Sequence, residues 1–289
     1  MRELCKLVII ISSMVIMSAQ MNGQNVGIGA NTFTTDNSAL LELQSTNSGL
    51  LLPRMTTAQR DAITNTATVT VTVFTCGTST VTYDGVTYNT VQIGNQCWFK
   101  ENLRTTKYND GTSITNVTDN ATWTSTTSGA YCCYGNDPSN CVTYGALYNW
   151  YAVNTGKLCP SGWHVPSDAE WTTLTNYLSA NSTYWCGSNS SYIAKSLAST
   201  TSWNSSTTTC AVGKNLSANN STGFSALAGG YGYLSDGSFD SLGSLGCWWS
   251  SSEGGGSYAW SRFLGYDGAN VDRGYGNEGF GFSVRCLRD

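Results

Sequence analysis

Apolar and polar residues follow two periods along this chain, and each period points to a different element. Residues 81–103, "VTYDGVTYNTVQIGNQCWFKENL", alternate with a period of two around Asp84-Gly85, which predicts a hairpin with those two residues at its turn. Just upstream, Val69, Val71 and Val73 share one face and threonines the other, so residues 66–74 read as a strand. The helical period appears later. Trp171, Leu174 and Leu178 follow Ser167 and Glu170, whose spacing is that of a capping box, so a helix starts after Ser167. Residues 144–153, "YGALYNWYAV", read as a second main helix burying Leu147, Trp150 and Tyr151, and 193–197 as a shorter one. Trp163-His164-Val165 is a short strand that Pro166 ends. From Gly223 onward the text breaks into short strands at 224–227, 231–234, 248–252, 258–264 and 282–288. Helices early and a strand meander late make an α+β plan.

The first 20 residues read as a signal peptide: Arg2 and Lys6 lead, an apolar run spans 7–17, and Ser18-Ala19-Gln20 is the cleavage zone. That run is shorter than the roughly 20 residues a bilayer span needs, and no second long apolar run follows. The expectation is an exported chain, secreted or at the cell surface, with no membrane span. Residues 24–70 form a separate segment. Leu40, Leu41, Leu43 and Leu50-Leu51-Leu52 stop at Pro53, and 56–63 can make a short helix. This piece has too little apolar mass for a core of its own, which suits attachment, or assembly of a homo-oligomer. Its "VGIG" start and "GLLLPRMTTAQRDAI" at 49–63 resemble the N-terminal segments of Bacteroidetes surface and fibre-type proteins.

Composition narrows the class. Charged residues are 11%, against about 25% in average soluble domains. Ten Trp, 16 Tyr and 8 Phe can still build a core. A net charge of −4 without a basic cluster excludes nucleic acid as a partner. Besides Cys5 in the leader, ten cysteines remain, at 76, 97, 132, 133, 141, 159, 186, 210, 247 and 286. An even count in an exported chain implies disulfides, and no CxxC cluster offers a zinc site. Cys76 and Cys97 bracket the first hairpin and are expected to pair.

Catalytic chemistry finds little support, and no enzyme is expected. His164 is the single histidine and sits in a strand, more in keeping with a structural hydrogen bond than with a triad. Nothing in the sequence brings any two of Asp236, Asp240, Glu253, Asp267 and Asp272 to glycosidase spacing. Gly274-x-Gly276-x-x-Gly279 matches a dinucleotide fingerprint by letter, but no βαβ unit follows it. No cofactor is expected. Asp267, Asn270 and Asp272 supply hard oxygens that calcium can use, although an ordinary solvated loop explains them as well.

From residue 83 to the end, the chain resembles the Fibrobacter succinogenes major paralogous domain family. The runs carrying the resemblance are "YDGVTYNTVQIGNQCWFKENL", "YGALYNWYAV", "CPSGWHVPSDAEW", "GFSALAGGY", "WWSSSE" and "GFSVRC". The resemblance implies a C-type-lectin-like fold over 76–289, like that of formylglycine-generating enzymes, with two main helices, short antiparallel strands and long disulfide-tied loops. It also implies a Cys159–Cys286 bridge. Cys133–Cys141 and Cys186–Cys210 are local candidates, and Cys132 and Cys247 are left to each other. Lectin-like folds bind with their late strands and loops, here 258–280. That points to Tyr258, Trp260, Arg262, Tyr266, Asp267, Asn270, Asp272, Tyr275 and Asn277 as a recognition face in a loop clamped by "GFSVRC". Their composition is that of antibody paratopes. The implied partner is a protein or glycan on a cell or phage surface, and the segment fits the alphabet of lectin-fold proteins diversified by retroelements. The alternative is a structural or assembly component without a ligand.

Overall fold

The computed structural model describes residues 26–29, 41–44, 73–233 and 235–289. The chain divides into two compact units, Met1–Val71 and Thr72–Asp289. In the first, β1 (Val26–Gly29) and β2 (Leu41–Gln44) pair in parallel, Val26 opposite Leu41. The signal peptide, the helix expected at 56–63 and nearly all of the strand expected at 66–74 lie outside the described residues. Val73 and Phe74 are described; neither is in a strand, and Val73 is 75% exposed.

The second unit opens with β3 (Thr80–Tyr83), β4 (Val86–Ile93) and β5 (Gln96–Phe99). Asp84 and Gly85 both take positive φ, 47° and 74°, the primed turn whose twist matches the strands it joins. There follow β6 (Thr115–Asn116), α1 (Asn120–Ser125), β7 (Ala130–Cys132), α2 (Pro138–Tyr144), β8 (Leu147–Tyr148), α3 (Trp150–Val153) and β9 (Trp163–His164). Then come α4 (Asp168–Ser179), α5 (Ala194–Leu197), β10 (Gly229–Gly232), β11 (Phe239–Leu242), β12 (Leu245–Gly255), β13 (Tyr258–Gly265), β14 (Asp272–Asn277) and β15 (Leu287–Arg288). One five-stranded sheet runs β3-β4-β5-β15-β9, a second runs β11-β10-β12-β13-β14, and β6-β7-β8 form a third. The architecture is α+β, dominated by sheet.

Helix α4 is the one long helix among the described residues, where two were expected. Its capping box is complete: Ser167 Oγ accepts from the Glu170 amide, and the Glu170 carboxylate accepts from the Ser167 amide. Trp171, Leu174 and Leu178 are buried, and Trp171 packs on Trp98 of β5 with ring centroids 4.8 Å apart. The helix expected at 144–153 is broken into a strand and one turn. Gly145 at φ 86° stops α2, and a Cβ there would lie 2.5 Å from the Asn102 Cβ. Leu147 is then a strand residue, and Asn149 caps a new turn by accepting from the Ala152 amide. Trp150 is buried but Tyr151 only half so. The late strands also shift. Residues 224–227 make only the bridge Ala198–Ala226, and 231–234 is replaced by β10 at Gly229–Gly232. Residues 282–288 give isolated bridges at Phe282 and Ser283 and then the two-residue β15.

The bridges are Cys76–Cys97, Cys133–Cys141, Cys159–Cys286 and Cys186–Cys210. Cys132 and Cys247 are free and buried, which corrects the pairing expected between them. Cys132 packs with Val117, Trp123, Ala130 and Leu147, whereas Cys247 sits in the main core with Trp249 and Phe282. Burial pushes the Cys132 thiol up to about 12 and the Cys247 thiol well above its ordinary value, so both behave as small core residues.

The chain's end is held by more than its bridge. Phe282 and Val284 are buried, and Arg285 is fully buried. Arg285 donates to Asn102 Oδ1 and to the carbonyls of Phe99, Phe224 and Ser225, with its Cζ 4.4 Å from the Phe224 ring centroid. Among the described residues no carboxylate is bonded to it, and burial lowers its pKa to about 9. Carbonyl dipoles replace the water that this guanidinium has lost.

Candidate functional site

The region read as a recognition loop is mostly a β-hairpin. β13 and β14 pair antiparallel, with Tyr258 opposite Asn277, Trp260 opposite Tyr275, Arg262 opposite Arg273 and Phe263 opposite Asp272. The glycines of β14 belong to its packing. Gly276 is buried, and a Cβ there would lie 2.5 Å from Phe282 and 2.6 Å from Trp249. At Gly274 a Cβ would lie 3.0 Å from Phe263. Alternation therefore lays the bare backbone of 274 and 276 against the aromatic core and turns Arg273 and Tyr275 to the opposite face.

That opposite face carries a stack. The Trp260 and Tyr275 rings lie with centroids 4.0 Å apart at 35°. The Arg273 guanidinium lies 3.3 Å from the Trp260 centroid. Arg273 and Tyr275 are two residues apart on one strand, a spacing of roughly 7 Å, so an indole fits between them. Tyr258 and Tyr275 are 50% and 54% exposed, two of the six exposed large hydrophobics among the described residues.

Arg262 and Arg273 face each other as like charges, normally unfavourable across a strand pair. Asp168, the first residue of α4, resolves the conflict. Its Oδ1 accepts from Arg262 Nη1 at 2.7 Å and from Arg273 Nε at 2.9 Å, and its Oδ2 accepts from Arg273 Nη2 at 2.9 Å. Burial would raise the Asp168 pKa, but the hydrogen bonds and charges of the two arginines hold it below the ordinary value. Arg262 is 2% exposed and also donates to Thr172 Oγ1 and to the Asp168 carbonyl. It is thus a structural anchor under the helix, a correction to its expected place on the recognition face. Asp168 and Arg273 belong to the site, and residue type alone did not select them. No sequence signal marked them, because Arg262 meets Arg273 only once β13 and β14 close into a hairpin.

The remaining expected residues divide between the hairpin's two ends. Asn277 is half-buried, beside Tyr258, and its side chain accepts from the Gly279 amide. Tyr266, Asp267 and Asn270 lie on the β13–β14 connection, roughly 20 Å along the strands from Tyr258. That connection is tied down by its backbone: the Ala194, Val212 and Gly213 amides donate to the carbonyls of Ala269, Gly268 and Tyr266. Tyr266 packs against the core. Asp272 stands on the far face from Arg273, and among the described residues no group of three or more His, Cys, Asp and Glu is placed to hold a metal ion.

His164 is engaged on both sides. Its Nε2 lies 2.9 Å from Glu170 Oε1, and its Nδ1 contacts the Asp289 carboxylate. Burial would lower its pKa, but these two carboxylates raise it overall.

Residues 91–288 match the model of the Fibrobacter succinogenes major domain. The chain belongs to that family. The Fibrobacter succinogenes major domain begins inside β4 and runs through β15, so it contains α4, the hairpin and the arginine pair. Residues 27–139 match a phage tail like trimerisation region, which overlaps the family domain from β4 to the start of α2. No curated protein and no solved structure matches the chain. Among the described residues no helix is long and apolar enough to cross a membrane.

Proposed function

We propose that this chain is an exported binding module, displayed as an oligomer, that recognises its ligand with the outer face of the β13–β14 hairpin. One observation carries the reading: the exposed stack of Tyr275, Trp260 and Arg273 on a hairpin whose other face is packed into the core. Rigid aromatic rings with hydrogen-bonding tips give contact area at small entropy cost, and a locked strand pair keeps them in place without a ligand. On this reading the fold is C-type-lectin-like, and its chemistry is binding rather than catalysis. The engagement of His164 by two carboxylates supports a structural role for that residue. Retroelement-driven variation fits the hairpin less well than it fitted a loop, because Gly274, Gly276 and Arg262 have fixed packing or bonding partners. The outward positions 258, 260, 273, 275 and 277 are where variation would be tolerated.

A second reading, a structural or assembly component without a ligand, is favoured by the trimerisation-region match over 27–139. Glycan and protein arrays probed with the mature chain and with Tyr258→Ala and Tyr275→Ala separate the two. Binding lost in the variants supports the first reading; binding that both variants retain, or none at all, leaves only the second. Light scattering of the mature chain tests assembly: a trimer is expected, and a monomer at micromolar concentration would contradict it.

A further inference from the structure

The guanidinium of Arg273 has two edges, and only one is used. Asp168 takes the Nε/Nη2 edge with both carboxylate oxygens. The Nη1 atom finds no acceptor among the described residues, so the Nη1/Nη2 edge is open, and the side chain is 47% exposed. A planar fork of that kind matches a carboxylate through two parallel hydrogen bonds. The indole Nε1–H of Trp260 is likewise without an acceptor, and it is not a buried orphan. Two guanidinium groups share the single carboxylate of Asp168 here, so this cluster carries an excess positive charge in a chain whose net charge is −4. Beside these donors stand the half-exposed rings of Tyr258 and Tyr275.

A protein partner would need about 800 Å² of complementary surface with an apolar centre. The outer end of the hairpin offers instead the rings of Tyr258 and Tyr275, the Trp260 indole N–H and one open fork, with Glu253 and Glu278 beside the Tyr258 end, which is the scale of a monosaccharide or two. We propose that this face takes an acidic saccharide, with the sugar carboxylate on the free edge of Arg273 and a ring face against Tyr275 or Tyr258. This rests on the binding-face reading above. Asp168 is the positioning residue: it fixes the plane of Arg273 and leaves the outer edge for the ligand. Arg262 anchors Asp168 from below.

The test is retention of the mature chain in affinity electrophoresis through polygalacturonate, alginate or hyaluronate, against methyl-esterified polygalacturonate and neutral dextran. The expected result is retention by at least one acidic polymer, weakened about tenfold or more by methyl esterification and by Arg273→Gln, and reduced as salt rises. Arg273→Gln changes an exposed side chain, and its thermal midpoint checks that the fold is kept. Equal retention by the methyl ester, or retention indifferent to Arg273→Gln, overturns the proposal. Retention by a neutral glycan that Tyr275→Ala abolishes also overturns it, yet leaves the binding face standing. No retention by any polymer overturns the proposal, and a blank array then removes the binding reading as well.

Discussion

Removing the Asp168 carboxylate while keeping everything else is the sharpest perturbation of this structure. In Asp168→Ala, Arg262, which is 2% exposed, loses the one carboxylate bonded to it among the described residues and keeps Thr172 Oγ1 and backbone carbonyls as acceptors. Stranding one partner of a buried pair costs about 3–5 kcal/mol. The retained acceptors put Arg262 at the low end of that range. The Arg273 arm is half in solvent, where screening by water leaves a pair adding little to stability. Loss of an acid from the first turn of α4 adds about 0.3–1 kcal/mol. The expected loss is about 3–4 kcal/mol, a fall in melting midpoint of about 6–15 °C for a unit of this size. Urea unfolding at pH 7, checked by thermal scans, measures it. Arg262→Met in the same background should recover most of the loss, because the stranded charge is gone. Stability lost by less than about 1 kcal/mol in Asp168→Ala, or a double variant with additive losses, would refute the assignment of Arg262 as the buried dependant of Asp168. The pH direction is fixed too. Since the folded pKa of Asp168 is depressed, its contribution is complete above the ordinary carboxylate value near 4 and fades as pH falls through the folded value.

Other outcomes follow from the same structure. Replacing Cys159 and Cys286 by Ala, which opens a separation of 127 residues, should cost about 5 kcal/mol in the chain-entropy model, against about 3.5 kcal/mol for the Cys186–Cys210 separation of 24; denaturant midpoints of the two double variants should rank in that order. His164 has a raised folded pKa, so its stabilisation is complete below the ordinary value of about 6.5 and is lost as pH rises through the folded value. His164→Gln should flatten the stability profile between pH 6 and 8, and an unchanged slope would show that the two carboxylate contacts do not persist in solution. Gly276→Ala should destabilise by about 1–3 kcal/mol or more through overpacking on Phe282 and Trp249, whereas Gly256→Ala, where a Cβ meets nothing, should lose only the smaller cost of its φ of 65°.

Short-range chemistry was enough for part of this protein. The Asp84-Gly85 turn, the capping box at Ser167 and Glu170, and the Trp171, Leu174, Leu178 stripe depend on neighbours within a few residues, so sequence spacing decides them. Where neighbours are distant, spacing misleads. "YGALYNWYAV" has helical periodicity, but Gly145 is pressed against Asn102 and Leu147 is claimed by the β6-β7-β8 sheet, so only Tyr144, at the end of α2, and Trp150–Val153 are helical. The glycines at 274 and 276 looked like loop residues because their reason lies across the fold, in Phe263, Phe282 and Trp249. Arg262 and Arg273 looked alike as letters. Only tertiary packing puts one beneath a helix 94 residues earlier in the chain and leaves the other half in water, with Asp168 dividing its charge between them. Side-chain type tells what a residue can bond, but which partner reaches it, and whether water does, is decided when the strands and α4 close on one another.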